Sequence, residues 1–300
     1  MSCTTIANAP IPFPPQRLMR LIRQARSYLL ERQTPGGGFC FYRGYYLEEP
    51  NIADTWHGVA AWQLLTRERL LEQARQVAFI LGLPIEPQPF ALYYRVRALQ
   101  ALDAADAQSD DVRAAVASLS LHLPAGDVSD VQLPLRRLAY SVCLRRHFGL
   151  PGDEDAQLAH ALRQTEHHDG GYGHPPNLHD TAEALALLQA CGEPAGPRTA
   201  DFVRGLALRG FGFRLTAHSL SPSLETICAG VDCCAHLGLP VEHADDAMDF
   251  IVGCQTGNGG FALRPGALPD LAWTYLALRT LRRCLGVTVL EDASGVAFAS

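Results

Sequence analysis

No apolar run in this 300-residue chain reaches the roughly 18 to 20 residues that a membrane-spanning helix needs. Basic residues are too few for a nucleic-acid-binding protein, since 25 Lys and Arg against 31 Asp and Glu give a net charge of −6. The GxSxG, Walker and dinucleotide-binding motifs are absent. An apolar fraction of 48% excludes a disordered chain and predicts a globular protein with a sizeable core.

The cysteines do not form a disulfide framework. Nine of them are scattered along the chain, the number is odd, and no CxxC pair occurs. This usage is typical of buried thiols in a reducing compartment. The segment from Met1 to Pro15 is rich in proline and lacks the basic region that opens a secretory signal. We therefore expect a cytoplasmic protein.

One string recurs along the chain and predicts a repeat architecture. Each copy has glycines beside an aromatic residue, a polar or proline-containing stretch, an acidic residue near Thr, and an Ala/Leu-rich segment. The acidic residues of the four clear copies are Asp54, Asp180, Glu225 and Asp270. Their separations are 126, 45 and 45 residues, and 126 is three times 42. Two degenerate copies are therefore predicted near residues 96 and 138, for a total of six.

Each copy is predicted to hold two helices, one before the glycine turn and one after it. Six helical hairpins can stack as an open solenoid or close into a ring. The terminal copies are as apolar as the central ones, which favours closure. The sequence thus predicts one domain over residues 1–300, with a Pro-rich extension at 1–15 and a C-terminal tail at 288–300.

Three glycine turns carry a family resemblance. QTPGGGF at Gln33, EHHDGGYG at Glu166 and QTGNGGF at Gln255 resemble the repeats of protein prenyltransferase β subunits and squalene/terpene cyclase domains. The resemblance covers nearly the whole chain, strongly in four copies and weakly in two. It implies an all-α (α/α)6 barrel, a toroid in which inner helices surround an apolar, aromatic-lined cavity for isoprenoid chains.

The resemblance also implies where a site would lie. In such barrels the helix after the glycine turn is the inner one, so its first residues meet at one mouth of the cavity. The predicted catalytic group is Asp180, His179, Asp54, Glu225 and Asp270. The predicted substrate-binding group is Trp56, His57, Tyr93, Tyr94, Arg95 and Trp273. The simpler role for each acid is to cap its own helix, which stabilises a first turn by about 1 kcal/mol.

Class II terpene cyclases carry D-x-D-D-T-A at the start of an inner helix, and its middle Asp protonates an alkene. Asn177 to Ala182 match the D-T-A half, but His179 occupies the position of the acid. Imidazolium is a weaker acid than a carboxylic acid by roughly 2 to 3 pKa units. We therefore expect the proton to come from Asp180, Asp54, Glu225 or Asp270, with His179 or His57 as a polar partner.

The zinc signature of protein prenyltransferases is not reproduced. The fifth copy lacks Asp-x-Cys, and Trp273 occupies the position of the zinc-binding His in the sixth. Indole cannot bind zinc. Cys228, Cys233, Cys234 and His236 fall on one helix and point around it, so no metal site is predicted there. We expect no cofactor, with Mg²⁺ involved only where the substrate is a diphosphate.

The preferred functional hypothesis is an isoprenoid-processing enzyme, a class II-like terpene or meroterpenoid cyclase that starts carbocation cyclisation by protonation. The first alternative is a non-catalytic isoprenoid or lipid-binding protein, or a scaffold, on the same fold. The second is a zinc-dependent prenyltransferase β-like subunit. The expected partner is a small isoprenoid, with peripheral membrane contact for substrate entry, no nucleic acid and no obligate protein partner.

Overall fold

The computed structural model describes residues 14–42, 48–104, 109–123, 132–150, 152 and 154–295. Within these ranges the chain forms thirteen helices and two small strand pairs. The helices are α1 Pro15–Arg32, α2 Ile52–Leu65, α3 Gln73–Gly82, α4 Pro89–Ala101, α5 Asp110–Ala117, α6 Gln132–His147, α7 Asp155–Arg163, α8 Leu178–Cys191, α9 Thr199–Gly205, α10 Leu224–Leu237, α11 Ala244–Gly253, α12 Leu271–Leu285 and α13 Leu290–Gly295. The strands are β1 Ala207–Leu208, β2 Gly212–Phe213, β3 Phe261–Ala262 and β4 Pro269–Asp270.

The even-numbered helices from α2 to α12 form a closed ring. Each of them packs against the next, and α12 packs against α2, which completes the circle. The odd-numbered helices from α1 to α11 lie outside, each against the inner helix that follows it. Six helical hairpins closed in this way confirm the predicted (α/α)6 barrel. The two degenerate copies predicted near residues 96 and 138 are α4 and α6.

Polar side chains fix where the inner helices begin. Four of these helices start after a residue whose side chain accepts a hydrogen bond from the backbone N–H three residues later: Asn51, Asn177, Ser223 and Asp270. Such a bond satisfies one of the donors that a first turn leaves unpaired. Three inner helices end at a glycine in the left-handed conformation: Gly192, Gly238 and Gly286. Glycine adopts this conformation without steric cost.

A threonine in the first turn of the inner helix holds the glycine turn that precedes it. The backbone N–H of Phe39 donates to Thr55 Oγ1 at 3.1 Å, and the Thr55 hydroxyl donates to the Asn51 carbonyl. The same pair of bonds recurs for Tyr172 with Thr181 and for Phe261 with Thr274. The aromatic ring of each turn is fully buried. The recurring Thr and aromatic positions therefore join each turn to the inner helix that follows.

The predicted tail at 288–300 contains α13, which packs against α1 and α2. Leu290 is fully buried, and Glu291 accepts a hydrogen bond from the Thr66 hydroxyl at 2.6 Å. This part of the tail therefore belongs to the barrel wall. Residues 1–13 of the predicted N-terminal extension lie outside the described ranges. None of the described helices combines the length and apolar character needed to cross a membrane.

Candidate active site inside the ring

Helix geometry decides which side chains face the interior of the ring. A helix turns about 100° per residue, so positions four apart share a face. On α12 this places Tyr275, Arg279 and Arg283 in one inward row. The corresponding positions of the other inner helices hold aromatic, charged and histidine side chains, and these contact one another across neighbouring helices.

One wall of the interior is an aromatic cluster from α4 and α6. The rings of Tyr93 and Tyr140 stack with 3.8 Å between their centroids and 3° between their planes. Tyr94 lies 6.0 Å from Tyr140, and Phe90 meets Tyr140 edge to face at 5.4 Å. Burial raises the pKa of Tyr93 to about 12 and also raises those of Tyr94 and Tyr140. The phenols therefore remain neutral at physiological pH.

His57 of α2 extends the aromatic cluster from α4 to α12. Its imidazole lies 5.3 Å from the Tyr94 ring and 5.7 Å from the Tyr275 ring, and Tyr275 lies 5.9 Å from Trp56. Burial lowers the pKa of His57 to about 4, and the cations Arg136 and Arg279 add to this shift. A neutral imidazole on α2 therefore lies between aromatic side chains of the two neighbouring inner helices, α4 and α12. Trp56, His57, Tyr93 and Tyr94, all predicted to bind substrate, are brought together here.

A band of ion pairs lies beside the aromatic cluster. Arg136 of α6 donates to Glu183 of α8, with nitrogen–oxygen distances of 2.7 and 2.8 Å. Asp232 of α10 is shared by Arg279 and Arg283 of α12. The residues predicted from the sequence do not include Glu183, Asp232, Arg279 or Arg283. A usable signal was present, because each of the pairs Arg136–Glu183 and Asp232–Arg279 is 47 residues apart, close to one repeat.

These charged groups of the inner helices remain partly accessible. Glu183 and Asp232 each retain 17% of their side-chain accessibility, and Arg136 retains 33%. Burial nevertheless raises the pKa of Glu183, although Arg136 acts in the opposite direction. Because these side chains belong to inner helices, we infer that the space they border is a chamber inside the ring. The chamber is therefore aromatic on one part of its wall and charged on another.

Two predicted residues, His179 and Glu225, lie at the mouth formed by the first turns of the inner helices. Each occupies the second position of its helix, α8 and α10, on the inward face. His179 Nε2 lies 3.2 Å from the Thr226 hydroxyl. Burial lowers the pKa of His179, and the nearby carboxylates of Glu225 and Asp180 oppose that shift. The mouth therefore contains an imidazole close to two acids.

The predicted acids Asp54 and Asp180 both interact with the start of their own helix. Asp180 is buried and its Oδ2 accepts a hydrogen bond from Asn177 Nδ2 at 2.6 Å. Asp54 Oδ2 accepts from the Asn51 amide at 2.9 Å and from the Phe41 backbone N–H at 3.1 Å. Burial raises the pKa of Asp54. Both carboxylates therefore have a structural role whether or not they also act in catalysis.

Asp270 caps α12 by accepting a hydrogen bond from the Trp273 backbone N–H at 2.7 Å. Burial raises the pKa of Asp270 to about 6, and the neighbouring Asp54 carboxylate contributes to that rise. A like charge nearby disfavours the ionised form of an acid. Asp54 and Asp270 therefore form a pair of mouth carboxyls in which Asp270 keeps its proton over a wider pH range.

The structure separates Arg95 from the other predicted substrate-binding residues. Its guanidinium donates to the Leu83 carbonyl at 3.0 Å and to the Leu81 carbonyl at 3.5 Å, at the connection between α3 and α4. Arg95 thus holds the end of an outer helix instead of facing the aromatic cluster. Trp273 lies in the first turn of α12, three residues after the capping residue Asp270, and is half-buried.

Within the described ranges, no three His, Cys, Asp or Glu side chains are grouped as a metal site would require. Cys228 accepts a hydrogen bond from the Thr280 hydroxyl at 3.1 Å, and Cys233 and Cys234 are buried in the helix packing. Burial raises the pKa values of all three thiols. These cysteines act as small core residues.

Comparison with known families agrees with this architecture. The family described as Prenyltransferase alpha-alpha toroid domain matches residues 15–88 and 85–282. A short stretch of 37 residues is 51% identical to the β subunit of protein farnesyltransferase from Pisum sativum. That match spans only 12% of this chain and 9% of the pea subunit.

Solved structures with the same fold include two kinds of enzyme. The type II terpene cyclase MstE from Scytonema, as a variant in complex with geranylgeranyl dihydroxybenzoate, is 15% identical with a TM-score of 0.57, over 90% of this chain and 98% of MstE. Protein geranylgeranyltransferase-I from Candida albicans, complexed with GGPP, is 13% identical with a TM-score of 0.53, over 91% of this chain and 92% of that one. At these identities the likeness concerns the fold.

Proposed function

Because the chain belongs to the prenyltransferase alpha-alpha toroid family, we propose that it is an isoprenoid-processing enzyme, a class II-like terpene or meroterpenoid cyclase. The observation that carries this proposal is the aromatic cluster inside the closed ring, where Tyr93, Tyr94 and Tyr140 meet His57 and Tyr275. A polyene chain needs an apolar wall to fold against, and this cluster supplies one.

The same aromatic wall suits a carbocation intermediate. The π face of an aromatic ring attracts a cation by about 2 kcal/mol or more when water is excluded. The phenols of Tyr93 and Tyr140 and the imidazole of His57 are neutral at physiological pH, because burial displaces their pKa values. A neutral imidazole can accept a proton, so His57 is also a candidate base for the deprotonation that ends a cyclisation.

Asp180 is our preferred proton donor. It lies at the start of α8, where the helix dipole and the Asn177 amide stabilise the carboxylate that remains after proton transfer. Stabilising the conjugate base strengthens the acid, which alkene protonation requires. His179, on the inward face beside Asp180 and Glu225, is the polar partner through which the acid is reprotonated. The proposed initiation uses a side-chain proton and requires no cofactor, and Mg²⁺ enters only with a diphosphate substrate.

Solvent deuterium provides a specific test. Purified protein is incubated in D2O with linear polyprenyl alcohols, acids and diphosphates of several lengths, and the extracts are analysed by mass spectrometry. Initiation by protonation incorporates one deuteron at a non-exchangeable carbon of a cyclic product. We expect Asp180→Asn to abolish this product, while Asp54→Asn, which removes a similar carboxylate at another helix start, retains it. Unchanged substrate throughout would count against the proposal.

A non-catalytic isoprenoid carrier is the second candidate. It is favoured by the engagement of Asp54, Asp180 and Asp270 in hydrogen bonds at their own helix starts. A carrier binds a polyprenyl compound stoichiometrically and returns it unchanged on extraction. Equilibrium binding followed by analysis of the extracted ligand therefore separates the two functions.

A further inference from the structure

Positive side chains outnumber negative ones in the charged band inside the ring. Its ion pairs contain three cations, Arg136, Arg279 and Arg283, and two anions, Glu183 and Asp232. Arg97, 5.6 Å from the centre of the Trp56 ring, adds a further cation beside the aromatic cluster. The adjacent histidines do not change this count at physiological pH, because burial lowers the pKa values of His57 and His236. The chain as a whole carries a net charge of −6, so a local positive excess is not a general property of the protein.

The excess lies in the region around Asp232. One carboxylate is shared by the two guanidinium groups of Arg279 and Arg283, which retain 23% and 26% of their side-chain accessibility. A guanidinium has five N–H donors, so a single Asp cannot use the donors of both. A charge that is removed from bulk water is costly unless it is paired. The remaining donors and the excess charge therefore both favour an anion at this place.

The position of these arginines also sets the direction of a bound ligand. Along α12, each helical turn of about four residues advances the side chain by roughly 6 Å. Arg279 and Arg283 are thus one and two helical turns beyond Tyr275 along α12, and so further from the mouth that contains His179. The aromatic cluster lies between the mouth and the arginine pair.

We propose that the chamber selects an isoprenoid with a monoanionic head group, a carboxylate, which binds Arg279 and Arg283 while the prenyl chain extends through the aromatic cluster toward the mouth. This inference rests on the proposed function for the identity of the chain and on the charged band for the head group. A carboxylate matches the planar fork of a guanidinium and neutralises one excess charge. A diphosphate brings additional negative charge close to Glu183 and Asp232, which disfavours it.

The binding test compares geranylgeranic acid, geranylgeraniol and geranylgeranyl diphosphate by isothermal titration calorimetry on the full-length protein. We expect the acid to bind at least tenfold more tightly than the alcohol and the diphosphate. Arg283→Gln is expected to weaken acid binding about tenfold and to leave the alcohol unchanged. Arg67→Gln, which removes an exposed arginine on the outer wall, is the matched control and changes neither affinity.

A second variant shifts affinity in the opposite direction. Asp232→Asn removes one negative charge and leaves the guanidinium groups of Arg279 and Arg283 without their shared carboxylate. It is therefore expected to strengthen acid binding. A variant that merely failed to fold would not bind more tightly. Equal affinity of acid and alcohol for the wild-type protein would overturn the inference, as would tighter binding of the diphosphate. Tight binding of the acid without turnover would leave this inference intact and would count against the cyclase alone.

Discussion

Tyr93 of α4 and Tyr140 of α6 stack face to face, with 3.8 Å between ring centroids and 3° between ring planes. These helices come from the two repeats with the weakest sequence signal, which lack the threonine that secures the turns elsewhere. The stacked pair therefore supplies a contact between inner helices where the repeat motif is degenerate. It also forms part of the chamber wall, so stability and ligand binding depend on the same rings.

Replacing one ring of this pair should affect both properties. We expect Tyr140→Ala to lower the free energy of unfolding by about 2 kcal/mol, because it removes a stacked, half-buried ring. Tyr140→Phe keeps the ring and should stay within about 0.5 kcal/mol of the wild type. Urea denaturation measures both values. A loss of the same size in Tyr140→Phe would show that the hydroxyl, and not the stacked ring, stabilises this contact.

The barrel was predictable from the sequence because its determinants recur in four of the six repeats. Thr55, Thr181 and Thr274 each hold a glycine turn. The spacing of the acidic residues near such threonines made the count of six possible. The chamber wall was only partly predictable. Its aromatic residues are rare enough to attract attention, whereas Asp232 and Arg279 are charged residues on different helices whose pairing depends on ring closure.

The role of the predicted acids could not be decided from the sequence. An aspartate at a helix start has the same sequence context whether it caps the helix or donates a proton. Asp270 accepts a backbone hydrogen bond and has a raised pKa, so both roles remain compatible with its geometry. Arg95 shows the effect of helix phase, because it is adjacent to Tyr94 in sequence and points toward the Leu83 carbonyl instead of the chamber.

Asn177 offers a way to separate capping from catalysis. Its side-chain oxygen accepts from the Asp180 backbone N–H at 3.0 Å, and its amide donates to Asp180 Oδ2 at 2.6 Å. Asn177→Ala should cost about 1 kcal/mol of stability because the cap is lost. Asn177→Ser keeps a capping oxygen and replaces the amide donor with a hydroxyl on a shorter side chain, so thermal unfolding should change little.

The same serine variant should nevertheless slow cyclisation. Without the Asn177 amide, the Asp180 carboxylate left after proton transfer has one stabilising partner fewer, which weakens the acid. We expect turnover of a polyprenyl substrate to fall by about tenfold, since one hydrogen bond to a charged group contributes on the order of 1.5 kcal/mol. Full activity in both Asn177→Ser and Asn177→Ala, the second of which has no side-chain donor, would contradict the assignment of Asp180 as donor.

A glycine inside α2 tests how the buried turn aromatics pack. A Cβ added at Gly58 would lie 2.4 Å from Cδ1 of Phe39, whose ring is fully buried. Overpacking of this kind costs about 1 to 3 kcal/mol, which exceeds the gain in helix propensity from alanine. We expect Gly58→Ala to lower the urea midpoint. Gly36→Ala, in the same repeat but with no atom within 4 Å of the added Cβ, should not lower it.

Asp270→Asn should reveal the raised pKa of Asp270 as a pH-dependent gain in stability. The pKa rises from 3.8 in the unfolded chain to about 6 in the folded protein, mainly through burial. The folded state therefore binds more protons between these values, and wild-type stability is lost as pH rises through 6.

Asparagine does not titrate and also caps helices well. The variant should match the wild type near pH 3.5 and exceed it by as much as about 3 kcal/mol above pH 7. Urea unfolding across this range measures the difference, and Asp111→Asn, at an exposed acid in the first turn of α5, provides the control. A gain that is the same at every pH would contradict a raised pKa, and a less stable variant at pH 8 would show that the Asp270 carboxylate stabilises α12 in its ionised form.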